Sequence, residues 1–383
     1  MSTDRGDRPI ALVTAFGFAL AQGIATVAIP LVALTVGYDA PTVGLLAAVA
    51  AGAQLATRFT LPWLLGRFAD RRLIALADVL MLAGFVLLLL STALPVFIAA
   101  QVAIGASRAI FWTSSQTHAI RSGGPPVRRL VDLNLAGNAG TLTGPVLAGL
   151  LATVGLPLAL AGAALAVAMS LAGTPFLRAF PPYDRRQSVG ALRLLRREGV
   201  DAACWANVVG GVWWSMIGSY VPVILVGAGI GPSIIGLLVT LSEGTGAAVL
   251  VRLRRVPEAR IPGLVRIAAF GEMLALAGIA FAPALVAVYA PLLMLGGGCA
   301  GCVTVLAPAL VAMAAGEHEQ GDALALSGMF RAMAQLGAPA LVSASLAFVA
   351  IPVGVAAVAL AAAAPGVALA ARRPPRPEPT PAA

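Results

Sequence analysis

The sequence predicts an all-α integral membrane protein, with twelve transmembrane helices arranged as two pseudo-symmetric six-helix bundles. Three observations lead there. The 383 residues are 60% hydrophobic and only 11% charged, whereas a soluble domain carries about 25% charged residues. The arginines cluster after every second apolar run. The second half of the chain also repeats landmarks of the first at an offset of about 192 residues.

About 20 apolar residues cross a bilayer as a helix. On that measure the spans are predicted at 10–36, 41–65, 73–93, 95–118, 131–154, 156–177, 203–227, 232–251, 263–282, 284–315, 323–347 and 349–371. The tenth run is longer than one straight crossing needs and has to tilt or project. The first run is too long for the core of a cleavable signal peptide.

The formal net charge is +9, and every basic residue is Arg. Arg67, Arg71 and Arg72 follow span 2. Arg121, Arg128 and Arg129 follow span 4. Arg178, Arg185, Arg186, Arg193, Arg196 and Arg197 follow span 6, Arg252, Arg254, Arg255 and Arg260 follow span 8, and Arg372, Arg373 and Arg376 follow span 12. The intervening turns 37–40, 91–94 and 227–231 hold none. Positive loops stay cytoplasmic. The expected localisation is therefore a cell (inner or plasma) membrane with both termini cytoplasmic. This distribution is that of a membrane topology and not of a nucleic-acid surface, although anionic headgroups are a secondary class of partner for it. The acidic loop of Glu317, Glu319 and Asp322 is the exception.

The polar stretch near Arg178–Gly199 divides the chain. The expected units are an N-terminal bundle at 1–177, a central cytoplasmic loop at 178–200, a C-terminal bundle at 201–371 and a disordered tail at 372–383. Pro30 corresponds to Pro222, Gly44 to Gly236, Gly52 to Gly244 and Gly105 to Gly297. With two further residues of shift, Pro145 corresponds to Pro339. Repeated halves of this kind place a substrate site between them, near mid-membrane.

Two strings carry a family resemblance. Gly66-Arg67-Phe68-Ala69-Asp70-Arg71-Arg72, after span 2, resembles the loop signature of the major facilitator superfamily in shortened form. Gly140-Thr141-Leu142-Thr143-Gly144-Pro145-Val146-Leu147-Ala148-Gly149, in span 5, resembles that family's antiporter signature, departing only at Ala148. The resemblance implies the major facilitator fold and alternating access. It makes Gly66, Asp70 and Arg71 a latch between the halves near the start of span 11. It makes Gly140, Gly144, Pro145 and Gly149 the mark of proton-coupled exporters, drug exporters in particular. Span 4 departs from the pattern: Gln101 stands where the family has Arg, and Arg108 lies beyond Gly105.

Charges within spans are costly and face a cavity or a partner. Glu243, Arg331 and Arg108 are the proton-coupling candidates, and Glu243 leads because it lies near the middle of span 8. A carboxyl there can gain and lose a proton as its access to water changes. Arg331 would be its partner, either in a pair that breaks and forms or in a static one. Glu272 in span 9 is not favoured for such a role, because the resemblance implies that spans 3, 6, 9 and 12 lie peripherally; pairing with Arg266 near the cytoplasmic edge is the ordinary reading of it. Gln22, Asn138, Trp112, Trp213, Trp214, Asn207, Phe330 and Gln335 are cavity candidates, with ordinary packing as the alternative for each.

No metal site and no cofactor is expected. Cys299 and Cys302 with Met329 and Met333 could attract a soft metal, but close packing accounts for them more simply. No nucleophile triad or phosphate-binding loop is visible, so the chain is not expected to be an enzyme. The expected partners are a small-molecule substrate, protons as coupling ion and membrane lipid, with no nucleic acid and a monomeric carrier. The leading function is proton-coupled efflux of an amphipathic small molecule or drug. A proton-coupled nutrient importer and a non-transporting membrane receptor of the same fold are the alternatives.

Overall fold

The computed structural model describes residues 4–122, 126–182, 191–196, 199–253, 256–315 and 320–371. The acidic loop at 317–319, several linker arginines and the tail from Arg372 lie outside the described residues. The chain runs α1 (Asp4–Thr35), α2 (Ala40–Arg67), α3 (Asp70–Leu90), α4 (Leu94–Arg121), α5 (Pro126–Val154) and α6 (Leu156–Gly173). It continues as α7 (Val200–Ile217), α8 (Tyr220–Gly227), α9 (Pro232–Leu253), α10 (Ile261–Phe281), α11 (Val286–Ala314), α12 (Gln320–Ser345) and α13 (Ile351–Ala371).

Local chemistry marks many of these boundaries. Prolines in the first turn open α2, α4, α6 and α10 at Pro41, Pro95, Pro157 and Pro262, where a missing N–H costs nothing. Asp39 caps α2 by accepting the Thr42 N–H at 3.0 Å. Helices α1 and α8 end alike. Gly37 and Gly229 take positive φ, and the next residue's N–H reaches back to Ala33 O and Leu225 O respectively. These are matching Schellman caps, about 192 residues apart.

Nine described helices are long and apolar enough to cross a membrane, and the bent pair α7–α8 makes a tenth. Helix α13 contributes a shorter apolar stretch, Ile351–Val367. Helix α12 carries Asp322, Arg331 and Gln335. The expected seventh span is thus not continuous: α7 and α8 meet at 43°. Pro222 has no N–H to offer the Gly218 carbonyl four residues back, so the helix opens at Gly218-Ser219. Helix α1 starts earlier than expected, because Asp7 and Arg8 are tied to His118 and Asp132 of neighbouring helices.

Helices α1–α6 pack on one another, as do α7–α13, and the two groups meet mainly through α5 with α9 and α2 with α12. Glycine makes both kinds of contact possible. Gly105 of α4 lies against the Ala50 carbonyl of α2, and Gly297 of α11 lies against the Ser242 carbonyl of α9. Across the halves, Gly44 of α2 faces Tyr220 and Ser343, while Gly236 of α9 faces Pro145 and Gly149. Each pair repeats the other at nearly the same offset, so the internal repeat is also a repeat of packing. Small residues let helix backbones approach this closely without a large hydrophobic driving force between them.

Candidate functional site

A cleft opens between the halves where α5, α7, α9 and α11 converge. Its wall is formed by Asn138 and Thr141 of α5, Trp213 and Trp214 of α7, Ser242, Glu243, Gly246 and Ala247 of α9, and Gly297, Ala300, Gly301 and Thr304 of α11. The residues of α11 follow a helical spacing of three and four, which places them on one face. Glu243, Gly246 and Ala247 do the same on α9. The two glycine-rich faces press together, Gly246 against Gly297 and Gly301. Backbone therefore lines much of the cleft, and Glu243 is the acidic side chain in its wall.

The Arg331 guanidinium lies 5.9 Å from the centre of the Trp214 ring. It forms no direct ion pair with Glu243 within 4 Å. Trp214 Nε1 is buried and unbonded. Trp213 is packed tightly over Gly296 while also lining the cleft.

The other cavity candidates divide. Gln22 and Trp112 belong together: Trp112 Nε1 donates to Gln22 Oε1 at 3.1 Å, with the indole lying over Gly137. Asn207 is buried and donates to the Ala203 carbonyl of its own helix, so it is not in the cleft wall. Phe330 and Gln335 are half-buried on α12 and also lie outside the lining. Arg108 shares a face of α4 with Trp112 one turn on, and its Nε is buried without a hydrogen bond. Thr141, Ser242 and Thr304 join the wall without having been singled out from the sequence. The small-residue faces of α9 and α11 were the available signal for Ser242 and Thr304, and the span 5 string for Thr141.

The span 5 string serves two neighbours. Gly140 and Gly144 meet the backbone of α1 at Phe16–Leu20 and Gly23, within one half. Pro145 and Gly149 meet α9 of the other half, at Gly236 and Pro232. Thr240 completes that crossing: its hydroxyl accepts the Val146 N–H at 3.0 Å and donates to the Leu142 carbonyl at 3.1 Å.

The expected bridge from Asp70 and Arg71 to the other half is not formed in this conformation. Asp70 is fully buried and pairs with Arg121 of α4 at 3.1 Å. Arg71 donates to the carbonyls of Pro175 and Leu177, both at 3.2 Å. Gly66 stands exposed at the end of α2. The reason is proximity: α4 supplies a cation to the buried carboxylate, and the end of α6 supplies free carbonyls. Arg58 does reach the other half, donating to the Gly328 carbonyl at 3.2 Å.

One further expectation is corrected. Glu272 does not pair with Arg266, whose Nε donates to the Pro262 carbonyl. Six residues of helix put the two side chains about 120° apart around the axis and more than one turn apart along it. Met333 is exposed while Cys299 and Cys302 are half-buried. Among the described residues no group of three His, Cys, Asp or Glu side chains is arranged to hold a metal.

The family model described as Major Facilitator Superfamily matches residues 11–339. No curated protein matches the chain significantly. Among solved structures, nucleoside transporter NupG (D323A mutant) superposes with a TM-score of 0.74 at 13% identity, covering 95% of this chain and 98% of that one. A POT family transporter in complex with 5-aminolevulinic acid gives 0.72 at 12% identity, covering 94% and 95%.

Proposed function

The chain belongs to the Major Facilitator Superfamily, and on that premise we propose that it is a proton-coupled exporter of an amphipathic small molecule. The observation that supports this reading most is the placement of Glu243 in the wall of a cleft between the halves, together with Trp214, whose ring the Arg331 guanidinium overlies. A carboxyl there can exchange a proton with water on one side of the membrane and then the other. Residues 1–177 and 201–371 act as two bundles that rock about this cleft, with the arginine-rich loops and both termini in the cytoplasm. The aromatic and backbone-lined walls suit a flat apolar body carrying a few polar groups. Gly140, Gly144, Pro145 and Gly149 hold α5 close to both α1 and α9, so that a shift of one half is felt by the other.

Proteoliposomes loaded with a panel of amphipathic fluorescent dyes test the reading. An imposed proton gradient is expected to drive dye movement against proton flow, and Glu243→Gln is expected to abolish it. Unchanged gradient-driven transport in Glu243→Gln would refute the coupling role. Dye movement with the proton flow would instead establish import by symport, for which the likeness to a nucleoside transporter and a POT family transporter supplies the fold alone.

A further inference from the structure

Both crossings between the halves are tight at one end and loose at the other. On α2, the place of a side chain at Gly44 is taken by the hydroxyls of Tyr220 and Ser343. About two turns further on, a methyl at Gly52 would meet only the tip of Leu336 of α12, at 3.4 Å. Nearer the arginine loops, a methyl at Gly328 of α12 would meet only the terminal nitrogen of Arg58, at 3.6 Å. The α5–α9 crossing repeats this. Gly149 and Gly236 touch through backbone, whereas a methyl at Gly244 would meet only the tip of Leu142, at 3.5 Å. The halves therefore diverge towards the ends that carry the arginines.

Helix α2 shows the consequence. Val43, Gly44, Leu46, Ala48 and Ala50 are buried, but from Gly52 to Arg67 only Leu61 is. Phe59, Trp63 and Arg67 follow one another at intervals of four residues, along one side of the helix, and all three are exposed. With 28 residues, α2 is about 42 Å long. That exceeds the roughly 30 Å hydrocarbon core, so its last turn stands at headgroup level. There the chain builds a platform. The Arg67 guanidinium lies 5.4 Å from the centre of the Trp63 ring, and Phe68 braces the same ring edge-on at 6.4 Å. A stacked guanidinium keeps its N–H edge free to grip an oxyanion. Among the described residues, neither Arg67 nor the exposed Arg72 beside it has a carboxylate within 4 Å. Asp70 is committed to Arg121, and Arg71 to the carbonyls of Pro175 and Leu177.

We propose that this face of α2 is a docking site for an anionic phospholipid, with its phosphate on Arg67 and an acyl chain laid over Trp63 and Phe59, beside the open α2–α12 seam. Charge complementarity selects that occupant. An uncompensated basic platform at headgroup level attracts a lipid of net negative charge, whereas a zwitterionic headgroup brings its own cation. The apolar strip runs from the platform towards mid-membrane, the direction a chain takes from its phosphate. Docking also depends on conformation. Gly52 and Phe59, seven residues apart, share a face of α2, and Gly52 looks towards Leu336 of α12. Closure of the seam would lay α12 over Phe59 and expel the chain, so bound lipid favours the present conformation. The orientation given above makes the leaflet the cytoplasmic one; nothing else in the proposal rests on the transport reading.

Tryptophan quenching tests this on the full chain in phosphatidylcholine nanodiscs. A fixed minor fraction of the lipid is replaced by tail-brominated phosphatidylglycerol or by tail-brominated phosphatidylcholine. The Trp63 signal is the difference between wild type and Trp63→Phe. Brominated phosphatidylglycerol is expected to quench it at a concentration about fivefold lower than brominated phosphatidylcholine. Arg67→Gln is expected to remove that preference. Arg252→Gln, which deletes an exposed arginine in the last turn of α9, is expected to keep it. Equal quenching by the two lipids, a preference that survives Arg67→Gln, or one lost equally in Arg252→Gln would overturn the proposal. The comparison of the two lipids needs only Trp63→Phe and stands even where Arg67→Gln fails to fold. The assay is blind to transport, so this site and the exporter reading can each fail alone.

Discussion

The hydroxyl of Thr240, on α9, bridges the Val146 N–H and the Leu142 carbonyl of α5, at 3.0 and 3.1 Å. Those two groups are four residues apart, the spacing of one helical hydrogen bond. The bridge falls beside Pro145, whose ring disturbs the ladder, so one half of the protein repairs the helix of the other. Thr240→Val keeps the shape and removes the bridge. It is expected to cost about 1 kcal/mol, read as a lower midpoint in thermal unfolding of the purified protein, and Thr240→Ser is expected to recover most of it.

The Asp70–Arg121 pair makes a second prediction. Asp70 is fully buried and Arg121 partly exposed. Removing one charge of a buried pair costs about 3 kcal/mol. Asp70→Asn is therefore expected to lower stability by about that amount. If Asp70 also latches the halves in the opposite conformation, as the loop signature implies, the variant will favour the present one. Spin-label distances between α2 and α12 check this; an unchanged distribution would confine Asp70 to its role within one bundle.

At the same end of the N-terminal bundle, Asp7 accepts from His118 Nε2 at 3.1 Å and from the Arg178 backbone N–H at 2.8 Å. The Phe180 ring lies 5.1 Å from the Arg121 guanidinium and 5.3 Å from that of Arg178. These contacts fasten the first residues of the central linker to α1 and α4. Asp7→Asn is expected to loosen them and to speed trypsin cleavage after Arg178 severalfold, leaving cleavage after Arg252 unchanged.

Asp39 gives a pH dependence outside the membrane-spanning segments. Hydrogen bonds from Thr42 hold its carboxyl below the ordinary range. A lowered folded value means that the capping contribution is present above the unfolded value and is lost as pH falls through the folded one. Because Asp39 is well exposed to solvent, the effect is small, at most about 1 kcal/mol. Asp39→Ala is expected to lower Tm at neutral pH and to match the wild type in strong acid.

Much of this was legible in the sequence because membrane physics writes itself locally. A span must be long and apolar, and first-turn prolines mark helix starts such as Pro41 and Pro157. The repeat was visible at Gly44 and Gly236 because close backbone approach admits no side chain, and the structure shows both glycines at equivalent crossings. Glu243 stood out because a carboxylate in mid-span is too costly to keep without a cavity or a partner. Asn207 could not be judged in this way: nothing local tells a cavity amide from one bonded to its own helix.

What the sequence determined by itself was therefore one-dimensional: helices, their approximate ends, the two halves and the residues that are expensive to place in a membrane. Only the tertiary structure decided their company. It drew Asp70 to Arg121 rather than across the halves, left Glu272 without the Arg266 partner expected for it, and set the Arg331 guanidinium over the Trp214 ring. The physical reason is that apolar periodicity and turn chemistry are short-range, set within a few residues. The partner of a buried charge is set by which helix packs beside it, and in this chain that neighbour can be more than fifty residues away in sequence.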